Sequence, residues 1–404
     1  MRKTVIAACI CLFLGVFVPL YAQIVAPKFG SGLQITGQDS SFYMKIGVRF
    51  QTLYLAEWDI TSDGLTISDN SSSRLFIRRS RLKFDGWAVN PQLTYKIELS
   101  LSNRDNGGGN NARFSNAANI ILDASVKWNF YNGLSIWAGQ GKMPGNRERI
   151  ISSGNLQFVD RSRLNARYTL DRDAGVMLLH THKLGRDFIL NETFSFTSGE
   201  GKNLTSANVG GHDYTFKVEA LPFGKFKSKG HYVGSAVKWE STPKLAVAVA
   251  YDINKNAGRE RGQLGSFIVD SDGVAFGKDL TSVFVDMMFK YQNYSIMAEY
   301  AKRIAEGDNP NVFGPSDELL GTYYSGSGTN LSVGYLTKNM WEFATRWTHM
   351  NPDEGVANDE DQYTVGLSKF IVGHKLKVQT DATYRSIDGS DDDFFYRLQM
   401  DIHF

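Results

Sequence analysis

The last eleven residues of the chain, 394–404, read FFYRLQMDIHF and decide the fold. From Phe394 to Phe404 every second residue is apolar or aromatic, whereas Arg397 and Asp401 lie among the residues between them. Because successive side chains of a strand point to opposite faces, one face of this segment is apolar and the other is charged. The pattern predicts a strand that separates water from an apolar medium.

The same period of two recurs near 42–58, 92–101, 120–130 and 375–385, and Leu122 falls on the apolar face of its segment. A soluble β-sandwich or propeller alternates in the same way, so strand lengths and connections must separate these classes. Strands of about ten residues or more match the bilayer core, whereas strands in soluble proteins average nearer five or six. The strand length therefore favours a membrane barrel.

The connections alternate between short turns and long loops, as outer-membrane barrels require. Long loops are predicted at about 59–73, 104–118, 144–172, 200–212, 255–278, 305–327, 350–361 and 387–393. These eight loops imply sixteen strands. The predicted fold class is all-β, a 16-stranded antiparallel transmembrane β-barrel with short periplasmic turns and long outer loops.

One extended segment too many disturbs the strand count. Seventeen are present, which would leave the chain ends on opposite sides of the membrane, and the parity breaks between 213 and 243. Either 213–222 or 231–240 therefore does not cross the membrane. We predict that 231–240 does not, because Pro222-Phe223-Gly224 ends a well-formed strand and three lysines follow it.

Residues 1–22 are typical of a cleaved secretory signal, with a basic start, an apolar stretch and Tyr21-Ala22 before the cleavage point. Both cysteines and two of the 44 basic residues lie in this segment, so 42 basic residues remain against 42 acidic ones. An exported chain without cysteine is not a disulfide scaffold, and an even charge is atypical of a nucleic-acid binder. We predict a short periplasmic segment at 23–41 and a single transmembrane β-barrel domain at 42–404.

The charge distribution indicates what the barrel does. Sixteen strands enclose a lumen too wide for side chains to fill, so the default function is an aqueous channel whose selectivity follows the charges at its narrowest point. Residues 74–172 contain 16 basic and 7 acidic side chains, a balance of +9, whereas 173–404 sum to −7. The distribution favours an anion path in the basic part of the barrel.

Candidate pore-lining cations lie on the polar faces of the predicted strands, where they alternate with apolar residues. The strand candidates are Lys45, Arg49, Arg78, Arg79, Arg81, Lys83, Lys96 and Lys127.

The third long loop, 144–172, is 29 residues long, which is enough to fold into the barrel and narrow it. Arginine suits an oxyanion because its planar fork presents several donors. Two alternatives stay open, namely that the loop arginines pair with neighbouring carboxylates or that they bind lipopolysaccharide outside. The candidates for the constriction are Arg147, Arg149, Arg161, Arg163 and Arg167, and the possible partners are Glu148, Asp160 and Asp171.

Other constellations are weaker. His180 and His182 share one strand face, a spacing suited to a metal ion, but no third ligand is in view and a structural role is favoured. The motif G-x-S-x-G is absent, and the scattered Asp and His residues form no convincing triad. We predict no catalytic site, no metal and no cofactor.

The sequence resembles the phosphate-selective porin O and P family of outer-membrane channels. The resemblance rests on LFIRRSRL at 75–82, WAGQGKMP at 137–144, QYTVGL at 362–367 and GHKLK at 373–377. It implies a sixteen-stranded barrel, a homotrimer and an anion path lined by arginine and lysine, to which Lys142 belongs by its position. It also implies that the barrel-assembly machinery recognises the terminal Phe404.

These observations predict a passive porin in the outer membrane of a Gram-negative-type cell, with a preference for phosphate or other small anions. The expected partners are those anions, outer-membrane lipids and the assembly machinery, without nucleic acid. An outer-membrane barrel enzyme of the protease or lipase type is the alternative from another class, and a structural or adhesive barrel is the third. Hydrolysis assays and conductance measurements distinguish the three.

Overall fold

The computed structural model describes residues 23–25, 28–60, 67–102, 119–205 and 207–404. The predicted signal segment 1–22 and the predicted loop 104–118 lie outside the described residues. In the described ranges there is no helix that is both long and apolar enough to span a membrane.

Strands make up most of the described chain. In chain order they are β1 (Gln23–Val25), β2 (Leu33–Thr36), β3 (Phe42–Ile60), β4 (Ile67–Ala88), β5 (Asn90–Ser100), β6 (Ile121–Tyr131), β7 (Leu134–Lys142), β8 (Arg172–Leu184), β9 (Phe188–Thr197), β10 (Asp213–Leu221), β11 (Glu240–Ala257), β12 (Lys278–Gln292), β13 (Tyr294–Ala305), β14 (Asn311–Phe313), β15 (Leu319–Thr322), β16 (Gly326–Leu336), β17 (Trp341–Pro352), β18 (Glu360–Phe370), β19 (Leu376–Ile387) and β20 (Asp392–His403).

Of the described strands, β3–β13 and β16–β20 form a closed antiparallel barrel of sixteen. The barrel closes where β20 pairs with β3, from Asp392 opposite Ile60 to His403 opposite Arg49. The remaining strands form two small additions, the β14–β15 hairpin within one loop and the β1–β2 hairpin at the N-terminal side. The predicted fold class is confirmed.

Side-chain burial in the barrel is the reverse of that in a soluble protein. On β10, Asp213 and Thr215 are 0% exposed, whereas the alternate residues Tyr214 and Phe216 are 40% and 50% exposed. An apolar outer band and a polar interior are what a bilayer requires of a barrel. The alternation predicted from the sequence is therefore confirmed, and the polar residues of the strands face the barrel interior.

The two ends of the barrel differ in their connections. One end, the loop end, joins β3 to β4, β5 to β6, β7 to β8, β9 to β10, β11 to β12, β13 to β16, β17 to β18 and β19 to β20. These eight connections join the strands between which the eight loops are predicted, although the strands run further than expected and the last loop shrinks to 388–391. The opposite end, the turn end, has short connections such as the single residue Val89 between β4 and β5.

One connection at the turn end is long. Residues 222–239, named here the inner segment, contain a 3₁₀ turn at Lys227–Tyr232 and no strand within this fully described range. The prediction that 231–240 does not cross the membrane is confirmed. The inner segment folds back into the barrel, where Lys290 of β12 donates hydrogen bonds from Nζ to the carbonyl oxygens of Val233 (2.7 Å) and Ser235 (2.6 Å).

The N-terminal hairpin extends the barrel wall towards the turn end. β2 pairs with the first part of β3, with Leu33 opposite Ile46 and Thr36 opposite Tyr43, on the edge that β20 uses further along. That 23–41 is a periplasmic segment stays a prediction.

The apolar core lies inside the barrel, beneath a loop. The crossing loop, residues 143–171 between β7 and β8, carries two short helices, α1 (Arg147–Ile150) and α2 (Arg163–Arg167). Its buried apolar side chains pack against inward-facing residues of the wall, including Phe284 of β12 and Met350 of β17. The members contributed by the loop to this cluster are Met143, Leu164, Tyr168 and Leu170.

Candidate functional site

The crossing loop lies within the lumen and is held to the wall on one side by β3 and β19. Its Ser153 Oγ accepts a hydrogen bond from Arg49 of β3 (2.6 Å), and the Leu156 carbonyl accepts one from Lys377 of β19 (3.2 Å). Each of these buried partners satisfies a polar group that is removed from water, as burial requires. The loop therefore lies across the lumen rather than above it.

Wall strands β10, β12 and β13 hold the loop at α1. Arg147 is fully buried and contacts the carboxylates of Glu219 on β10 (2.8 Å) and Asp286 on β12 (2.7 Å). The backbone N–H of Glu148 donates to Glu299 Oε1 on β13 (2.7 Å). A buried guanidinium between two carboxylates is an anchor, because removal of either side leaves an uncompensated charge.

Hydrogen bonds within the loop fix its path. Ser162 is the N-cap of α2, where its Oγ accepts from the backbone N–H of Asn165 (3.3 Å). The same hydroxyl donates to Glu148 Oε2 (2.6 Å), which ties α2 to α1. At the other end of α2, the Tyr168 hydroxyl donates to the Ser325 carbonyl (2.9 Å) before β16.

The space left between the loop and the wall is a cavity of about 770 Å³. Among the described residues, thirteen basic and five acidic side chains line it. The basic ones are Arg74, Arg78, Arg79, Arg81, Lys142, Arg149, Arg161, Arg163, Arg172, Lys202, Arg346, Arg385 and Arg397, and the acidic ones are Glu57, Asp59, Asp160, Asp171 and Asp393.

A β-bulge aims two consecutive arginines at one carboxylate. The register of β4 against β3 shifts so that Arg78 becomes the extra residue, with Gln51 opposite Arg79 and Thr52 opposite Ile77. Arg78 and Arg79 then both reach Asp160 of the crossing loop, at 2.8 and 3.3 Å. Burial alone would raise the pKa of Asp160, but the charges of Arg78 and Arg79 lower it well below its ordinary value.

Two further cations bind backbone carbonyls of the loop. Lys142 donates from Nζ to the carbonyl oxygens of Arg149 (2.6 Å), Ile150 (3.2 Å) and Ile151 (3.0 Å), at the end of α1. Arg161 donates to the Glu148 (2.9 Å) and Ile151 (2.7 Å) carbonyls. Both cations line the cavity and also shape the loop that bounds it.

The structure brings together seven of the fourteen cations predicted from the sequence. Those that line the cavity are Arg78, Arg79, Arg81, Lys142, Arg149, Arg161 and Arg163. Arg81 contacts Glu98 (2.8 Å) and Arg163 contacts Glu360 (2.9 Å), so cavity cations and wall carboxylates alternate.

The other seven predicted cations are not among the described residues that line the cavity, and their role in the pore stays a prediction. They are Lys45, Arg49, Lys83, Lys96, Lys127, Arg147 and Arg167.

Tertiary ion pairs hold three of these seven cations away from the cavity. Arg49 is buried against Asp401 (2.7 Å), and Lys96 contacts Glu98 (3.0 Å) and Asp123. Arg147 is held by its two carboxylates, as described above.

Position explains the rest. The guanidinium of Arg167 lies over the ring of Tyr324 at 4.9 Å. Lys83, which contacts Asp85 at 2.7 Å, lies towards the turn end with Lys45 and Lys127, on inward faces of their strands.

Several cations that line the cavity are not among the residues predicted from the sequence. Arg385 and Arg397 alternate with apolar residues on β19 and β20, so the period of two already placed them on the inward face. The charge balance of 173–404, which is acidic as a whole, gives no sign of these two arginines. Arg346 donates to the Asp160 carbonyl (2.9 Å), a contact that no local pattern predicts.

Comparisons with known proteins agree with this architecture. The model of the family described as phosphate-selective porin O and P matches residues 57–392. No match is found among curated protein sequences.

Solved structures with a similar fold include an outer-membrane protein, a porin and an outer-membrane channel. OmpT of Vibrio cholerae, folded in vitro, has 11% identity and a TM-score of 0.53 over 95% of this chain and 100% of its own. An anion-selective porin from Comamonas acidovorans has 11% identity and a TM-score of 0.52 over 89% of this chain and 99% of its own. The outer-membrane channel DcaP of Acinetobacter baumannii has 14% identity and a TM-score of 0.51 over 89% and 97%. At these identities the likeness shows a shared fold.

Proposed function

Because the chain belongs to the phosphate-selective porin O and P family, and is thus a porin of the Gram-negative outer membrane, we propose that its cavity is the constriction of an anion-preferring channel. The observation that carries the proposal is the lining of thirteen basic against five acidic side chains among the described residues. The anion selectivity named for the Comamonas acidovorans porin, which shares the fold, supports the same preference.

The mechanism is diffusion down a gradient through a charged constriction. At physiological salt the Debye length is about 8 Å, so a cation at the tip of an outer loop is screened from a passing ion, whereas one that lines a narrow cavity is not. The lining cations attract an anion into the narrow part and repel a cation. Selectivity therefore depends on the cavity rather than on the total charge of the chain.

Arginine is suited to an oxyanion that must enter and leave. A guanidinium has five N–H donors in one plane, so it can hold a carboxylate on one side and exchange water for an oxyanion on another. Arg163 illustrates this, because it holds Glu360 at 2.9 Å while its side chain stays 25% exposed. Binding that is shared with fixed carboxylates is weak enough to permit release.

Family membership favours diffusion over the protease or lipase alternative and over a structural barrel. A homotrimer is part of the proposal, supported by the trimer form of the structurally similar Vibrio cholerae OmpT. Recognition of Phe404 by the assembly machinery, phosphate as the solute and contacts with particular lipids stay predictions.

The test is planar-bilayer recording of the purified protein in a potassium chloride gradient. We expect a reversal potential on the side of chloride, and a reduced chloride current when phosphate is added. Neutralising two cavity cations in the double variant Arg149→Gln with Arg163→Gln should move the reversal potential towards zero. A cation-selective reversal potential, or no current, would contradict the proposal.

The matched control is the double variant Lys83→Gln with Lys127→Gln. These changes also remove two positive charges, from the inward faces of β4 and β6 but outside the cavity lining, so the reversal potential should stay near that of the unchanged protein. An equal shift in the two double variants would mean that the cavity does not set selectivity.

A further inference from the structure

A polar cluster interrupts the apolar outer surface of the barrel on β8 and β9. His180 and Glu192 are cross-strand partners, and His182 lies two residues along β8 on the same face. That face is the outer one, because its neighbours Leu178 and Phe194 are 46% and 45% exposed. Polar side chains on the lipid-facing surface are unfavourable unless they have partners or lie near the interface.

The cluster is near the interface at the turn end. Its strands meet at the short turn 185–187, and Leu134, the partner of His180 on β7, is itself the partner of Tyr131 at the end of β6. The side chains of His180 and Glu192 are 33% and 37% exposed, so the rest of the described chain does not cover them.

The ligand atoms converge as they would around a metal ion. His180 Nδ1 lies 2.9 Å from Glu192 Oε2, and His182 Nδ1 lies 3.2 Å from His180 Nδ1. One ligand atom from each of the three residues lies within 4.8 Å of the others. Zinc bonds of about 2.0–2.1 Å in a tetrahedral site place neighbouring ligand atoms about 3.3 Å apart. The separations of His180 from Glu192 and from His182 are close to that value.

The pairing of β8 with β9 supplies the third ligand, which is not apparent in the sequence. The His-x-His pair is visible in the sequence, but Glu192 comes from the next strand and only strand pairing places it opposite His180. Two imidazoles and one carboxylate are a ligand set that zinc uses when a fourth position stays open. Both strands are fixed in the barrel, so the ligands need little rearrangement on binding.

We propose that His180, His182 and Glu192 form a binding site for a divalent transition metal of the zinc type on the outer surface of the barrel. Each imidazole binds in its neutral form through a ring nitrogen, Glu192 binds through one carboxylate oxygen, and the fourth position is left to water or an external ligand. The site lies outside the lumen, so it is independent of the anion path.

The test uses the full chain without a polyhistidine tag, treated with a chelator and then titrated with Zn²⁺ by calorimetry at pH 7.5. We expect one saturable site per chain. His182→Ala and Glu192→Gln should each weaken zinc binding by at least about tenfold, which is the low end of what even outer-shell partners contribute.

His349→Ala is the matched control. His349 also contacts a single carboxylate, Asp361, at 3.2 Å, but no second imidazole joins them among the described residues. Its zinc affinity should equal that of the unchanged chain. No saturable binding, retained binding in His182→Ala, or equal loss in His349→Ala would each overturn the proposal. Gel mobility before and after heating shows that every variant is a folded barrel.

Discussion

Arg147 and Arg149 lie two residues apart on α1 and face opposite sides of the crossing loop. Arg147 is fully buried between Glu219 and Asp286 of the wall, whereas Arg149 lines the cavity beside Asp171. The two residues have the same charge and the same local sequence environment. What separates an anchor from a lining cation is therefore the wall that each one meets.

The same contrast holds for the whole barrel. The wall strands that bind the loop through carboxylates come from 173–404, the acidic part of the chain with a balance of −7. The basic loop belongs to the +9 block, 74–172, and the cavity lies between the loop and the arginines of β4. The carboxylates that contact the loop are Glu219, Asp286, Glu299, Glu342, Glu360 and Asp381. Acidic and basic blocks thus hold the crossing loop in place together.

The largest effect is expected from Arg147→Met. Removal of the guanidinium leaves Glu219 without its buried arginine partner and Asp286 with only Lys217 at 3.3 Å. Breaking a buried ion pair in this way costs about 3–5 kcal/mol. The free energy of unfolding, measured with urea in detergent micelles, should fall by that amount, and the single-channel current should become noisy as the loop loosens.

Arg149→Met is the comparison for this variant. Its ion pair with Asp171 is partly exposed, at 19% and 11% of the two side chains, so its loss should be clearly smaller. Equal losses in the two variants would mean that the wall side and the cavity side of the loop do not differ as described.

An intermediate effect is expected from Gly234→Val in the inner segment, which supports the loop from the turn end. The Gly234 N–H donates to the Asn155 carbonyl (2.7 Å), and a Cβ at this position would lie 2.6 Å from the Gln157 backbone nitrogen. Overpacking of this kind costs about 1–3 kcal/mol, measured as above. Gly47→Ala is the control, because its Cβ would meet only the Phe404 carbonyl oxygen, at 3.6 Å. Its free energy of unfolding should fall less than that of Gly234→Val. A larger fall in Gly47→Ala would contradict the role of the inner segment as a support.

The smallest effect is expected at the exposed pair of Arg74 and Glu57, which contact at 2.9 Å with side chains 50% and 44% exposed. Exposed ion pairs contribute about 0–1 kcal/mol and are weakened by salt. A double-mutant cycle with Arg74→Gln and Glu57→Gln should give a coupling energy in this range that decreases between 0.05 and about 0.5 M salt. A coupling as large as the loss in Arg147→Met would remove the distinction between buried and exposed pairs in the lumen.

The sequence predicts the inward or outward face of most strand residues, but not where the alternation slips. Leu122 was predicted on the apolar outer face, yet it is 3% exposed and lines the cavity. A register shift in the β5–β6 pairing, where Glu98 faces Asp123 and Leu99 faces Ile121, leaves Leu122 as the extra residue. The bulge at Arg78 has the same origin. Bulges depend on the pairing of two strands, so one strand read alone does not reveal them.

The sequence by itself determined the barrel, its sixteen strands, the end on which the loops lie and the segment 231–240 that does not span. These follow from local alternation and turn residues, which each short stretch carries within itself. Only the tertiary structure decided which cations line the cavity. Each guanidinium binds the carboxylate or carbonyl that the fold places opposite it, and most of these partners are distant in the sequence. In the same way, only strand pairing places Glu192 of β9 beside His180 and His182 of β8.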